Sequence, residues 1–464
     1  MKNIYVLAPA VLALSIASSI GCWGQSAPAP GSSSVRSAVS SPAPDAAPVT
    51  AQLTVEQAVE DALTGNPEIR ATVKRLSLAQ MKTTTARSLD DPMLMVRDWD
   101  TPITKPWDLN QAQLMVSLQQ TIPGKEKRDL RSKIAGDDVE VASDELESLR
   151  QEVTASVREV CAALLRNADE MKLHNEQAAV LNEALSAALA EYTTGKVAQA
   201  DVLRAQMALT RLSEHLIELE EKRDTARTQL NALMGRSPDE AIEIDGSYRT
   251  ATVLPSIDEL KRIAIEDRPE LAALRKQIAR SNDESQLARL AMKPDLTASA
   301  GYMLMPTGSP SRNAYMAEVT MNLPWWNRAR HDGETKQADA AIDVAQAELD
   351  ARTATVFLEI RQAEIAVHSA QRRVKLYRDT LLPQAEASFK ASAASYQNNR
   401  GEFMNLIDSQ NLLLDVRAAM YKALAESDAG SAQLERAIGA PLPEIHSTQS
   451  TTDQPSFNIE RTNK

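Results

Sequence analysis

The chain has 464 residues, only 15 of them Gly, with 4% aromatics and a formal net charge of −12. Scarce Gly and a middle rich in Ala, Leu, Glu, Arg and Gln favour long helices over a many-stranded globule. The acidic excess, with no basic stretch to offset it, argues against nucleic acid as the main partner.

Residues 1–21 place Lys2 before an apolar run and then small residues, the pattern of an export signal peptide. Cys22 follows Ser19-Ile20-Gly21 and resembles a lipobox cysteine, although Leu is usual three residues earlier. Lipid attachment at Cys22 and ordinary cleavage near Ser26 both fit. Residues 22–52, rich in Ser, Ala and Pro, form a flexible linker. No other run approaches ~18 apolar residues, so no inner-membrane helix is expected.

The first repeat covers 53–248. Thr54-x-x-Gln57 is a capping box opening a short helix, and Pro67 of Asn66-Pro67-Glu68 starts another. A strand pair follows at about 92–122. Leu114, Val116, Leu118 and Ile122 share one face opposite Ser117, Gln119 and Thr121, while residues 93–100 alternate less cleanly. After Pro123 comes a long helical hairpin, about 125–235. Its outgoing helix, from about Lys127 to Glu191, is roughly 65 residues or ~98 Å long. Leu146, Leu149, Val153, Val157, Val160 and Leu164 give it a coiled-coil seam, with Cys161 beside them as a small core residue. The stretch YTTGKVAQADVLRAQ, Tyr192 to Gln206, turns the chain, with Gly195 in the turn and Asp201 expected as N-cap of the returning helix.

The second repeat, 256–443, restates this order. It has a capping box at Ser256-x-x-Glu259, a helix start at Arg268-Pro269-Glu270, strands at about 294–323 and a hairpin at about 325–439. YQNNRGEFMNLIDSQ, Tyr396 to Gln410, lies 204 residues after its counterpart, whereas Pro294 follows Pro92 by 202. Asn405 is the expected cap here, Gly401 lies nearby, and Asn399 stands where the first repeat has Gly195. Pro383 should kink or break the outgoing helix. Trp325 and Trp326, just after the last strand, suit a membrane interface, though core packing also accounts for them. Residues 444–464 form a polar, disordered tail.

Strands of about ten residues are long enough to cross a bilayer, but a soluble sheet with one wet face alternates identically. Four strands leave open edges, so a membrane barrel would need several chains to close it. If Leu94, Leu114, Leu296 and Tyr315 face lipid, then Met93, Met95, Met115, Met303, Met305 and Met316 face a lumen. Thioethers there suit soft metal ions, although methionine also serves simply as packing. The five histidines lie apart, without metal spacing, and no phosphate-binding glycine motif occurs, so neither catalysis nor a cofactor is expected.

Taken in order and duplicated, these motifs resemble the TolC-like outer membrane efflux protein family over residues 53–443. They are Asn66-Pro67-Glu68, the Pro-ended strands, Tyr192-x-x-Gly195 with Asp201-Val202-Leu203, and Gln433-Leu434 through Gly439. Gln120-Thr121-Ile122-Pro123-Gly124-Lys125 is similar to the heavy-metal branch. The resemblance implies a mainly α fold of two tandem repeats. Three chains would share a twelve-stranded outer-membrane β-barrel, continued by a periplasmic α-helical barrel. It implies a homotrimer, a periplasmic adaptor and an inner-membrane pump as partners, and an exit duct for metal ions or drugs. Tyr192, Gly195, Asp201, Leu203, Tyr396, Gly401, Asn405 and Ile407 would line the adaptor-docking tips, or merely make tight turns. An adaptor or a structural coiled-coil protein of the envelope is the rival, but an adaptor should carry one hairpin amid Gly-rich β domains.

Overall fold

The computed structural model describes residues 51–99, 113–195, 198–249, 254–398 and 403–442. Residues 1–50 lie outside the described residues. The expected signal peptide, Cys22, most of the linker, the tail, Asn399 and Gly401 therefore lie outside them.

The first repeat runs β1 (Ala51–Thr54), α1 (Val55–Gly65), α2 (Pro67–Arg87), β2 (Met93–Trp99), β3 (Gln113–Ile122), α3 (Lys125–Thr193), α4 (Gln199–Met234) and β4 (Ile242–Asp245). The second runs α5 (Ile257–Asp267), α6 (Pro269–Leu290), β5 (Leu296–Leu304), β6 (Asn313–Met321), α7 (Arg328–Leu376), α8 (Leu382–Gln397) and α9 (Phe403–Ile438). Helix α3, at 69 residues, is about 104 Å long.

Local sequence accounts for most helix starts. The Thr54 hydroxyl accepts from the Gln57 N–H at 3.2 Å, and the Gln57 side chain accepts from the Thr54 N–H at 2.9 Å. Such a cap contributes about 1 kcal/mol. The Ser256 box is only half made: its hydroxyl accepts from the Glu259 N–H at 3.3 Å, but the Glu259 carboxylate turns to Arg262 at 2.7 Å. Asp201 and Asn405 correct the expected caps. Ala198 caps α4 without a side-chain bond, and both polar residues lie inside the first turns of their helices. The Asp201 carboxylate still sits favourably at a positive helix end.

The sheet has the order β2-β3-β5-β6, antiparallel throughout. A second, two-stranded sheet was not foreseen: β1 pairs in parallel with β4, Leu53 opposite Ile244. Four-residue strands are too short to show a period, and β1 takes in the end of the expected linker.

Each repeat has its own core. Ala58, Ala62, Ile69, Leu146, Val153, Val157, Leu230 and Met234 pack together in the first, with Cys161 wholly buried among them. Leu260, Ala264, Leu271, Val356, Ile360, Leu434 and Ile438 pack in the second. Burial pushes the Cys161 thiol up to about 12, so it is an inert core residue at neutral pH.

Equivalent core positions explain why the repeat offset drifts. Leu260 follows Ala58 by 202 residues, Pro324 follows Pro123 by 201, Val356 follows Val153 by 203, and Leu434 follows Leu230 by 204. The step from 201 to 203 falls at a 3-10 turn, Pro324–Asn327, which delays the start of α7. The last residue is absorbed by a π-helical turn at Tyr377–Leu381, joining α7 to α8. The kink or break expected at Pro383 takes the form of this turn, which interrupts the α-helix just before the proline. The wider turn carries the extra residue, and the ring enters the first turn of α8, so the rod continues.

The returning helices lock onto the short helices in the same way twice. Asn66 Nδ2 donates to the Leu233 carbonyl at 2.9 Å, and Arg268 Nη1 donates to the Ala437 carbonyl at 2.9 Å. Gly235 and Gly439, at φ 69° and 77°, end α4 and α9 in the left-handed region. A Cβ at Gly439 would come within 2.7 Å of Arg268 Cα. Arg268 itself is 1% exposed and also pairs with Glu270 at 3.1 Å and Glu359 at 2.6 Å, while Arg352 bridges the same two carboxylates. Burial alone would raise the Glu270 carboxyl. The hydrogen bond from Arg352 and the charges of Arg268 and Arg352 outweigh it, and the carboxyl lies below its usual range. The connection between repeats ties α3 to α9: Tyr248 Oη donates to Asp169 at 2.8 Å, and Arg249 bonds Asp428 at 2.9 Å and Glu435 at 3.1 Å.

Candidate functional site: a two-faced sheet and two hairpin tips

Pairing register decides which side chains share a face, because partners across an antiparallel ladder point the same way. One face carries Leu94, Val96, Leu114, Val116, Leu118, Ile122, Leu296, Ala298, Ala300, Tyr302, Tyr315, Ala317 and Val319. Many of these are bare to the surroundings, Tyr315 at 89%, Val319 at 72% and Leu94 at 69%. The other face carries Ser117, Gln119, Thr121, Thr297, Ser299, Glu318 and Thr320, together with Met93, Met95, Met115, Met303 and Met316. Met305 lies one residue beyond β5. The six methionines of interest are thus gathered at one side of one sheet.

On the polar face two strands approach closely. Gly301 stands opposite Ser117, and a Cβ added to Gly301 would fall 2.7 Å from Ser117 Cβ. Sequence reading missed this close approach; the signal was a glycine inside an otherwise alternating strand. It also missed the polar donors on the sulfurs. Gln113 Nε2 donates to Met303 Sδ at 3.2 Å and to Met305 Sδ at 3.1 Å, and an Arg97 N–H donates to Met95 Sδ at 3.1 Å. Trp325 and Trp326 stand 51% and 87% exposed in the 3-10 turn after the last strand.

At the first hairpin tip, Gly195 (φ 71°) donates its N–H to the Tyr192 carbonyl at 3.0 Å, closing the turn. Among the described residues beyond its chain neighbours, nothing lies within 4 Å of where its Cβ would be. Tyr192 and Leu203 are exposed, and Asp201 pairs with Arg204 at 3.4 Å. The second tip is not its copy. Ile407, counterpart of Leu203, is buried with Leu181, Ala205 and Leu212 of the first hairpin, and Tyr396 packs on the same cluster. These two residues therefore join the hairpins to each other rather than facing outward. Asn405 lies in the first turn of α9, and Gly401 is outside the described residues.

Among the described residues no helix is long and apolar enough to cross a membrane, and no group of three or more His, Cys, Asp or Glu is placed to hold a metal.

The family of outer membrane efflux proteins matches residues 58–236 and 260–440, both repeats. The cobalt-zinc-cadmium resistance protein CzcC of Cupriavidus metallidurans is 25% identical over 380 residues, 82% of this chain and 88% of its own. The outer-membrane channel OprN has the same fold, with a TM-score of 0.70 at 18% identity, over 83% of this chain and 90% of its own. The outer membrane protein VceC of Vibrio cholerae superposes with a TM-score of 0.69 at 19% identity, over 83% of this chain and 96% of its own. Channels of this family form trimers in tripartite pumps, with an adaptor and an inner-membrane transporter. The chain belongs to the outer membrane efflux protein family, and it is an outer-membrane channel, extending into the periplasm, of tripartite efflux systems rather than an enzyme.

Proposed function

We propose that three copies of this chain close one duct, twelve strands in the outer membrane and a helical tunnel below. The observation that carries this is the sheet: β2 and β6 each have one strand partner among the described residues, yet one face is largely apolar, with most of its side chains exposed. Open strand edges cannot face lipid, so other copies must pair with them. Exposed Val180, Met207 and Ile217 on the first hairpin, and Val344, Leu358 and Ile365 on the second, give neighbouring hairpins an apolar flank to cover. Trp325 and Trp326 then sit at the membrane interface beside the last strand.

The first tip, with Tyr192, Gly195, Asp201 and Leu203, docks the hairpin of a periplasmic adaptor that links the duct to an inner-membrane pump. Lipid attached to Cys22 anchors each chain to the outer membrane through the linker. Metal cations are the leading cargo, a reading supported by the resemblance to CzcC. The test combines mass and function. Native mass in detergent should give three copies, and Leu203→Asp, which leaves the Gly195 turn intact, should abolish export while trimers still form. A monomer in detergent, or undiminished export by the folded variant, would overturn the corresponding part. Mass spectrometry of the mature N-terminus decides the anchor, since an unmodified start near Ser26 removes it.

A further inference from the structure

The polar face segregates one residue type. In the four strands this face holds no Leu, Ile, Val or Phe, and its long aliphatic side chains are Met93, Met95, Met115, Met303 and Met316. The apolar face holds Leu, Val and Ile in number but a single methionine, Met321. Methionine used merely as adaptable filler would mix with Leu and Val on the face that needs apolar bulk. Its concentration on the hydroxyl- and amide-bearing face selects the sulfur, not the hydrocarbon.

Register places four of these methionines around one rung, the Ser117–Gly301 pair. Met115 and Met303 are direct cross-strand partners. On the next rung Met95 and Met316 flank the Ser117–Gly301 pair, with Met95 diagonal to Met115 and Met316 diagonal to Met303. Diagonal neighbours in an antiparallel sheet lie about 7–8 Å apart at the backbone, within reach of long side chains. A Cβ at Gly301 would fall 2.7 Å from that of Ser117, so this rung is closely packed and the longer methionine side chains stand out on either side of it. The bonds from Gln113 and Arg97 show that the lone pairs of Met303, Met305 and Met95 are directed at polar groups rather than sealed in packing. Arg97 bonds Met95 Sδ and stands opposite Met115 across the ladder, so a cation would reach Met115, Met303 and Met316 from the β5–β6 side, away from that charge.

We infer that this face is a binding site for a soft monovalent cation, Cu(I) or Ag(I), with Met115, Met303 and Met316 as its first ligands. Thioethers are neutral, soft donors that select such ions over zinc or cobalt. Binding is ligand exchange without change of oxidation state: bound water or a carrier's sulfur leaves as each thioether arrives. Neutral ligands hold the ion weakly enough to release it, which a conduit requires. The patch belongs to one chain. Only its repetition three times around a lumen rests on the trimeric duct proposed above.

The test uses the full chain in detergent micelles, with 13C-methyl methionine, titrated with silver nitrate in chloride-free buffer. The methyl signals of Met115, Met303 and Met316, assigned by single Met→Leu changes, should shift saturably, while zinc leaves them in place. Met115→Leu with Met303→Leu should weaken silver binding at least tenfold. Met81→Leu with Met321→Leu, at exposed methionines elsewhere, should leave it unchanged. Met→Leu keeps side-chain volume, and an unchanged methyl spectrum for the remaining methionines verifies the fold. No silver-dependent shift in the wild-type chain, or equal loss in both double variants, overturns the inference. Failure of the duct reading would look different: no conductance in planar bilayers and no trimer mass, with the silver shifts still present.

Discussion

The assignment of the two sheet faces is most directly tested by placing one charge on either side of a single peptide bond. Leu118 points to the apolar face and is 52% exposed, whereas Gln119 points to the polar face opposite Met93 and Ser299. Strand β3 has 10 residues. At about 3.3 Å per residue and a tilt near 40° it rises about 25 Å, the height of the apolar band of an outer-membrane barrel. Leu118 is near its middle, where an arginine facing lipid costs about 2–4 kcal/mol per copy and so about 6–12 kcal/mol for three copies. Leu118→Arg should therefore leave almost no heat-resistant oligomer in outer-membrane fractions and lower its urea midpoint sharply. Gln119→Arg, facing the Ser299–Glu318 rung, should accumulate as the wild type does. Tolerance of Leu118→Arg together with loss of the Gln119→Arg oligomer would invert the faces and refute the reasoning.

At the core of the second repeat, the depressed Glu270 carboxyl contributes stability in full above its ordinary value of 4.5, and loses it as pH falls through the folded value. Glu270→Gln should lower thermal stability at neutral pH and flatten its decline in acid; an unaltered pH profile would show that the Arg268–Arg352 network does not act through this charge. Gly439→Ala meets both a positive φ and the Arg268 backbone, and should cost more than the about 1–2 kcal/mol of a left-handed residue alone, whereas Gly195→Ala, in open space, should cost only that strain. Thermal denaturation of the two variants checks the order. Removing Thr380 together with Pro383→Ala should convert the π-turn into regular helix and preserve oligomer yield, since one residue is what the turn absorbs; collapse of the hairpin would count against the register argument. Cys161 should resist maleimide at pH 7 in the folded protein and react fully once denatured.

Sequence by itself determined what is periodic or local. Alternation in Leu114–Ile122 and Leu296–Tyr302 sets the strands and their faces, because side chains in a strand switch sides at every residue whatever the partner. The three-four steps from Leu146 to Leu164 set the coiled-coil helix, Thr54 and Pro67 set helix starts, and the duplicated tip motifs reveal two repeats. The gathering of methionines on one face was legible for the same reason.

Tertiary structure alone decided what depends on partners distant in the chain. The pairing of β1 with β4, the bond of Arg268 to Ala437 and the burial of Ile407 by the first hairpin all join segments more than 150 residues apart. No local pattern records such contacts. Ala198 caps α4 with an extended backbone and no side-chain hydrogen bond, so no polar residue marks where this helix begins. Pro383 follows the same logic: its ring alone predicts a kink or break without saying which form it takes, and because cores on both sides must stay in register, a π-turn with one extra residue is the form found.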